Sequence, residues 1–280
     1  MMFTTRFAPS PTGYLHRGHA YSARVAFDAA RAANGRFLLR IEDTDIGRCR
    51  PEFEAAIMED LAWLGLHWET PVRRQSEHMA DYGAALDALI ARGLVYRCFK
   101  TRKELMADIA GAPHGPVEAT RSQPLAPTEE RAFLDQGRAF AWRLSLDACR
   151  DALGPVWSEL SFEADGARRR AEPERLGDVV VARKEFPASY HLASVHDDAL
   201  QGVTHVVRGE DLIDSAHLHV LLQALFGWPT PVYRHHRLIL DPEGRRLAKR
   251  DQAETLRAVR AAGATPEQVL AGLGLAAAGA

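Results

Sequence analysis

Two histidines three positions apart, His16 and His19, close the stretch Pro9-Ser-Pro-Thr-Gly-Tyr-Leu-His-Arg-Gly-His19, with Gly18 between them. Pro9, Pro11 and Gly13 keep this stretch out of regular structure, and a helix opening at Gly18 and His19 offers unpaired amides and a positive dipole end to an anion. The chemistry outlined is phosphate binding, on a loop that is neither G-x-G-x-x-G nor G-x-x-x-x-G-K-[ST]. A second basic turn, Arg246-Leu-Ala-Lys-Arg250, could clamp phosphates with Lys249 as a compact point charge, although alone such a turn is more often solvated surface. Carboxylates cluster at Glu42-Asp-Thr-Asp45 and Glu210-Asp211. Asp43 or Asp45 could cap a following helix, whereas Glu42 ends a strand-like run and is the better ligand-facing candidate.

The elements that must position these groups alternate in type. Met2–Phe7 is a short β-branched and aromatic run, Tyr21–Ala33 repeats apolar residues at helical spacing up to Asn34-Gly35, and Arg36–Ile41 reads as a buried strand. Strand, helix and strand with short links open an α/β fold with a parallel sheet. Helices are expected over Pro51–Leu64 and Met79–Arg92, and a strand over Leu94–Cys98. From Phe99 to about Arg175 the text turns rich in Pro, Gly and charge. Its Trp142, Trp157 and Phe162 require burial, so it reads as an inserted α+β module with its own small core. The α/β text resumes with the apolar runs Val179–Ala182 and Ser189–Val195, the alternating strand Val203–Arg208, a helix over Ser215–Phe226 and a strand-like Arg237–Leu240. The expected division is residues 1–98 and 176–235 for two halves of one catalytic domain, 99–175 for the module, and 236–280 for the lysine-bearing turn and a short helical tail.

Composition bounds the partners. The chain has 280 residues, 46% of them apolar and 26% charged, and a net charge of −2, which gives no global attraction to nucleic acid. Any such contact must use local clusters such as Arg168–Arg170 or Arg245–Arg250. Cys49, Cys98 and Cys149 are odd in number and far apart, which argues against a disulfide framework. With neither a leader pattern nor a membrane-spanning apolar run, a cytoplasmic protein without membrane contact is expected.

Taken together, the two basic stretches resemble the paired signatures of class I aminoacyl-tRNA synthetases. His16 and His19 stand in the two histidine places, and Lys249 stands where a lysine meets the ATP phosphates. Arg6-Phe-Ala-Pro-Ser-Pro-Thr-Gly13, Arg40-Ile-Glu-Asp-Thr-Asp45, Gln201-Gly-Val-Thr-His-Val-Val-Arg-Gly-Glu-Asp-Leu212 and Leu225-Phe-Gly-Trp228 narrow the resemblance to the glutamyl and glutaminyl branch. Departures are Arg246 where lysine is usual and Ala248 where serine is usual.

The resemblance implies a Rossmann-like parallel sheet carrying the inserted module. It also implies ATP with Mg²⁺, bound by Pro9, Ser10, Gly18, His19, Arg246, Leu247 and Lys249, with His16, His19 and Lys249 as the catalytic set. L-glutamate would be held by Arg6, Ala8, Ser10, Glu42, Tyr190 and Arg208, with Arg6 on the side-chain carboxylate and Arg208 on the α-carboxylate. Only about thirty residues follow the second signature, fewer than a domain needs, so no anticodon-binding domain is expected. Shortened members of the branch place glutamate on the queuosine base in the anticodon loop of tRNA(Asp), and the resemblance implies that acceptor for a monomeric enzyme. Two rivals stay open: a shortened enzyme charging the 3′ end of a tRNA, and a non-catalytic RNA-binding paralogue. The joint presence of His16, His19, Lys249, Glu42 and Arg208 argues against the latter. Zinc, which family members often hold in the module through cysteines, is not expected. Cys98 matches the first position, Lys100 occupies the second, and His114–Glu118 offers no further cysteine.

Overall fold

The computed structural model of the chain describes residues 2–100, 104, 124–183, 186–240 and 254–275. In chain order the elements are β1 (Thr4–Phe7), α1 (Arg17–Ala32), β2 (Arg36–Ile41), α2 (Pro51–Trp63), β3 (Arg73–Arg74), α3 (Met79–Ala91), β4 (Val95–Cys98), α4 (Pro127–Asp135), β5 (Ala141–Leu144), α5 (Leu146–Leu153), α6 (Val156–Glu159), β6 (Ser161–Ala164) and β7 (Ala167–Arg170). These are followed by β8 (Val180–Arg183), α7 (Tyr190–Leu200), β9 (His205–Gly209), α8 (Ile213–Phe226), β10 (Val232–His236), α9 (Leu256–Ala261) and α10 (Pro266–Gly272).

β1, β2 and β3 pair in parallel, and so do β9, β10 and β6. The two sets meet edge to edge: the Thr4 amide donates to Thr204 Oγ1 at 2.8 Å and the Thr204 amide to the Thr4 carbonyl at 2.9 Å. The order is therefore β3-β2-β1-β9-β10-β6, with β7 antiparallel on the β6 edge. From β1 the chain first builds outward to one side, then returns to build the other. The gap between β1 and β9 is thus a topological switch point, where ligands of open parallel sheets bind at the carboxyl ends of the strands. This is the parallel sheet read from the strand–helix–strand pattern and the Rossmann-like one that the resemblance implies.

α1 folds onto this sheet because Ala20, Ala23, Ala26, Phe27 and Ala30 recur at helical spacing and are all buried. Gly35 lets the chain turn under Phe3, whose carbonyl a side chain there would strike.

The strand pairings cross the boundaries expected at residues 98 and 175. β4, β5 and β8 form an antiparallel sheet drawn from both sides of that segment. The β6–β7 hairpin lies within the segment yet joins the catalytic sheet, pairing Ala164 with Tyr233. Trp157 and Phe162 are buried, as their size requires, in the cluster that also holds Leu144 and Tyr233. The periodic run Ser189–Val195 opens the helix α7, and one local reading changes: among the described residues the last parallel strand is Val232–His236 instead of Arg237–Leu240. β10 escapes notice because, apart from Val232 and the buried Tyr233, it is made of the polar residues Arg234, His235 and His236 and so lacks the apolar run by which a strand is read.

Candidate active site

A cleft of about 530 Å³ opens at the carboxyl ends of β1, β2, β9 and β10. Arg6, Ala8, Pro9, Ser10, His16, Gly18, His19, Glu42, Tyr190 and Arg208 all line it, so the described candidates come together at one place. Arg246, Leu247 and Lys249 lie outside the described residues. Leu238 and Ile239, just upstream of that segment, line the cleft. Downstream, Thr255 bridges to His16 and the Leu256 amide donates to the Leu15 carbonyl at 2.8 Å.

The opening stretch is held by its own chemistry. The Glu42 amide donates to the Pro9 carbonyl at 3.1 Å, and the Arg50 amide to the Pro11 carbonyl at 3.1 Å, tying the irregular turn to β2 and to the start of α2. His16 is the N-cap of α1: its Nδ1 accepts from the Gly18 amide at 3.1 Å, while His19 Nδ1 accepts from the His16 amide at 3.2 Å. This is a capping box built from two histidines in place of the usual Ser/Thr and Glu/Gln. Capping and chemistry are not alternatives here. An Nδ1 that accepts cannot carry a proton, so the cap fixes both rings as Nε2–H tautomers. Gly18 suits the same contact, since a Cβ there would sit 3.0 Å from His16 Cε1 and the ring would have to shift.

The two arginines differ in their partners. Arg6 is buried and engaged by Asp198, with Nε at 3.0 Å from Oδ1 and Nη2 at 3.3 Å from Oδ2. Asp198 also accepts from the fully buried Arg40 at 2.8 Å, and Arg40 reaches Glu42 at 3.4 Å. Burial works against ionisation of Asp198, but the guanidiniums of Arg6 and Arg40 outweigh it and hold the carboxyl below its usual range. Glu42 goes the other way, pushed up by burial despite Arg40 and Arg6. Arg208, also buried, has no carboxylate within ion-pair distance among the described residues, and its Nη2 is buried without a partner. Its other donors meet neutral rings: Nη1 lies 3.4 Å from His219 Nδ1 and Nε 3.4 Å from His235 Nε2.

Several lining residues escaped the sequence reading. His236 accepts from the Ser22 hydroxyl at 3.0 Å through Nε2, and Arg237 stacks 5.1 Å over the Tyr21 ring. Both belong to the basic run Arg234–Arg237, whose place at the end of a central strand only the pairing reveals. Asp198 carried a signal too, as one of two adjacent aspartates following an apolar run. Cys98 is buried at the end of β4. The His114–Glu118 stretch compared with it lies outside the described residues. Among the described residues no helix is long and apolar enough to cross a membrane.

The cleft thus joins a switch point, a histidine-capped helix, two buried arginines and a buried glutamate. Residues 2–279 match the family of class I tRNA synthetases (E and Q), catalytic domain, and the chain belongs to that family. Among its relatives, a glutamyl-Q tRNA(Asp) synthetase of Rhodobacter capsulatus is 48% identical over 280 residues, covering 97% of this chain and 99% of the relative. A protein of the same name from Symbiobacterium thermophilum is 42% identical over 283 residues, covering 96% and 84%. A glutamate–tRNA ligase of a Synechococcus strain is 39% identical over 277 residues, but the chain spans 57% of its length. The crystal structure of a glutamate tRNA ligase from Elizabethkingia meningosepticum in complex with its amino acid superposes with a TM-score of 0.76 at 29% identity, over 95% of this chain and 59% of that one.

Proposed function

We propose that the chain is a ligase that activates L-glutamate with ATP to glutamyl-adenylate and transfers the glutamyl group to the queuosine base in the anticodon loop of tRNA(Asp). The carrying observation is the 48% identity to the R. capsulatus glutamyl-Q tRNA(Asp) synthetase over almost the whole of both chains. The cleft supplies the chemistry that this reading needs.

Class I tRNA synthetases use ATP, here taken as entering as its Mg²⁺ complex. A glutamate α-carboxylate oxygen attacks the α-phosphorus, the bond to the β-phosphate oxygen breaks, and pyrophosphate leaves. The protein's part is alignment and charge stabilisation. His16 and His19 present Nε2–H donors to the phosphates, with Lys249 as the cation completing the set. A hydroxyl of the queuosine ring then attacks the adenylate carbonyl, loses its proton, and AMP departs.

For the amino acid, Glu42 takes the ammonium, with Ala8, Ser10 and Tyr190 lining the pocket. We infer the reverse of the division of carboxylates that the resemblance implies. Arg6 stands close to Glu42 and its charge is matched by Asp198, so it suits the α-carboxylate next to the ammonium. Arg208 has its charge unmatched and suits the side-chain carboxylate, whose charge distinguishes glutamate from glutamine.

The test is to offer labelled glutamate to tRNA(Asp) with and without queuosine, then to cleave the RNA. Label confined to the anticodon fragment of the queuosine-bearing RNA is expected. Label on the 3′-terminal fragment would instead make the chain a tRNA-charging enzyme, and no glutamate-dependent ATP–pyrophosphate exchange would make it a non-catalytic paralogue.

A further inference from the structure

Arg208 is enclosed by a chain of histidines that neither the family match nor the sequence reading assigns a role. An arginine has only donors, so His219 Nδ1, 3.4 Å from Nη1, must accept, which places the His219 proton on Nε2. Nε2 lies 3.2 Å from His191 Nδ1, which must then accept in turn. On the other side His235 Nε2 accepts from Arg208 Nε at 3.4 Å, so the His235 proton sits on Nδ1, facing Asp165 Oδ2 at 3.9 Å. The guanidinium also stacks 5.2 Å above the Tyr233 ring, itself parallel to His235. Every acceptor that the described residues give this cation is therefore neutral, and Nη2 stays buried without a partner in a side chain that lines the cleft.

From this geometry we infer that His219 and His235, with His191 behind His219, are positioning residues that orient Arg208 while leaving its charge uncompensated for a substrate carboxylate. This rests on the reading of the cleft as a glutamate site. A carboxylate in either histidine's place would hold the arginine equally well but would compete with the substrate, as Asp198 competes for Arg6. Neutrality is built in. Burial first, and then the charge of Arg208, bring His191 down to about 4. The same two causes bring His235 to about 4, and they hold His219 well below its ordinary value, with further help from His191, Arg6 and Arg40.

The isosteric pair H219N and H219D tests the inference. Asparagine can return a neutral acceptor at the Nδ1 position, and aspartate a charged one of the same size. In glutamate-dependent ATP–pyrophosphate exchange, H219N should raise the glutamate KM several-fold. H219D should raise it at least about tenfold further, with the ATP KM unmoved in both, since a charge-assisted bond replaces a neutral one. H235Q and H235E form an independent second pair with the same expected order, should the first pair fold poorly. Equal glutamate KM values within both pairs, or tighter glutamate binding by the acidic variants, would overturn the inference. Its failure is separable from that of the glutamate reading. Nitrogen chemical shifts of isotope-labelled histidine in the wild-type chain should show His219 and His191 as Nε2–H and His235 as Nδ1–H tautomers between about pH 6 and 8, whatever the substrate. Protonated rings or the opposite tautomers would sink the cage even if exchange is robust.

Discussion

Asp198 grips Arg6 through both carboxylate oxygens, at 3.0 and 3.3 Å, and neither side chain is more than 5% exposed. The same carboxylate receives Arg40 at 2.8 Å, so one buried anion serves two buried cations. Such an arrangement stabilises only while every member is present, because removing one leaves the others charged and unpaired. It also fixes the direction of Arg6, which lines the cleft.

Asp198→Asn should therefore lose about 3–5 kcal/mol in denaturant unfolding. It should also lower kcat/KM for glutamate in exchange by more than about tenfold. Because the folded carboxyl is held below its unfolded value, its contribution is present above about pH 4 and disappears as the pH falls through the depressed folded value. The difference in stability between wild type and variant should accordingly shrink in acid. A difference that is constant with pH would show that Asp198 contributes through packing alone.

His16 combines two duties that substitutions can separate. His16→Ala removes the N-cap and should cost about 1 kcal/mol together with activity. His16→Asn restores an acceptor for the Gly18 amide but offers no Nε2–H to the phosphates. Its melting temperature should return to within about a degree or two of wild type while exchange stays at least about a hundredfold down. Recovery of both in H16N would reduce His16 to a cap.

How the sequence announced this site follows from where its residues lie along the chain. The Pro9–His19 stretch and Glu42 are legible because local spacing, glycines and a strand end mark them, Arg208 is legible through the family resemblance, and all converge on the cleft. The pairings of Arg40 with Asp198 and of Arg208 with His219 are not, since the role of a buried polar group is recognisable only once its partner is known, and Asp198 lies 158 positions from Arg40. The sheet was legible in its strand–helix–strand opening. β10 was hidden because a strand that ends in a binding site trades apolar residues for polar ones, and the β6–β7 hairpin because its partner follows some seventy residues later, as the 70-position separation of Asp165 and His235 illustrates.

Gly18→Ala isolates the fit of the His16 ring. At a helical position alanine is favoured over glycine by up to about 1 kcal/mol, which offsets a weakened cap of similar size. The added Cβ would meet the imidazole at 3.0 Å and turn it from the phosphate site. A nearly unchanged melting temperature with at least about a tenfold fall in kcat for exchange, and little change in glutamate KM, is the expected result. A fall in stability with normal kcat would mean that the ring has room to move.

Asp60, on α2, is fully buried beneath α9, and neither of its oxygens accepts a hydrogen bond. Arg260 approaches to 3.7 Å but lies 3.0 Å from Glu59, so its charge is shared. Burial therefore dominates and pushes the Asp60 carboxyl up to about 6, above its unfolded value of 3.8. Between those values the folded state binds the extra proton, so this group makes the protein more stable as the pH falls from about 6 towards about 4. At neutral pH the buried charge is a liability, and Asp60→Asn should raise stability there by about 1–3 kcal/mol. The gain should vanish near pH 4, where the wild-type carboxyl is already protonated in the folded state. Chemical denaturation of both proteins across this range measures it. A variant less stable than wild type at pH 7.5 would show that Arg260 depends on Asp60 more than on Glu59.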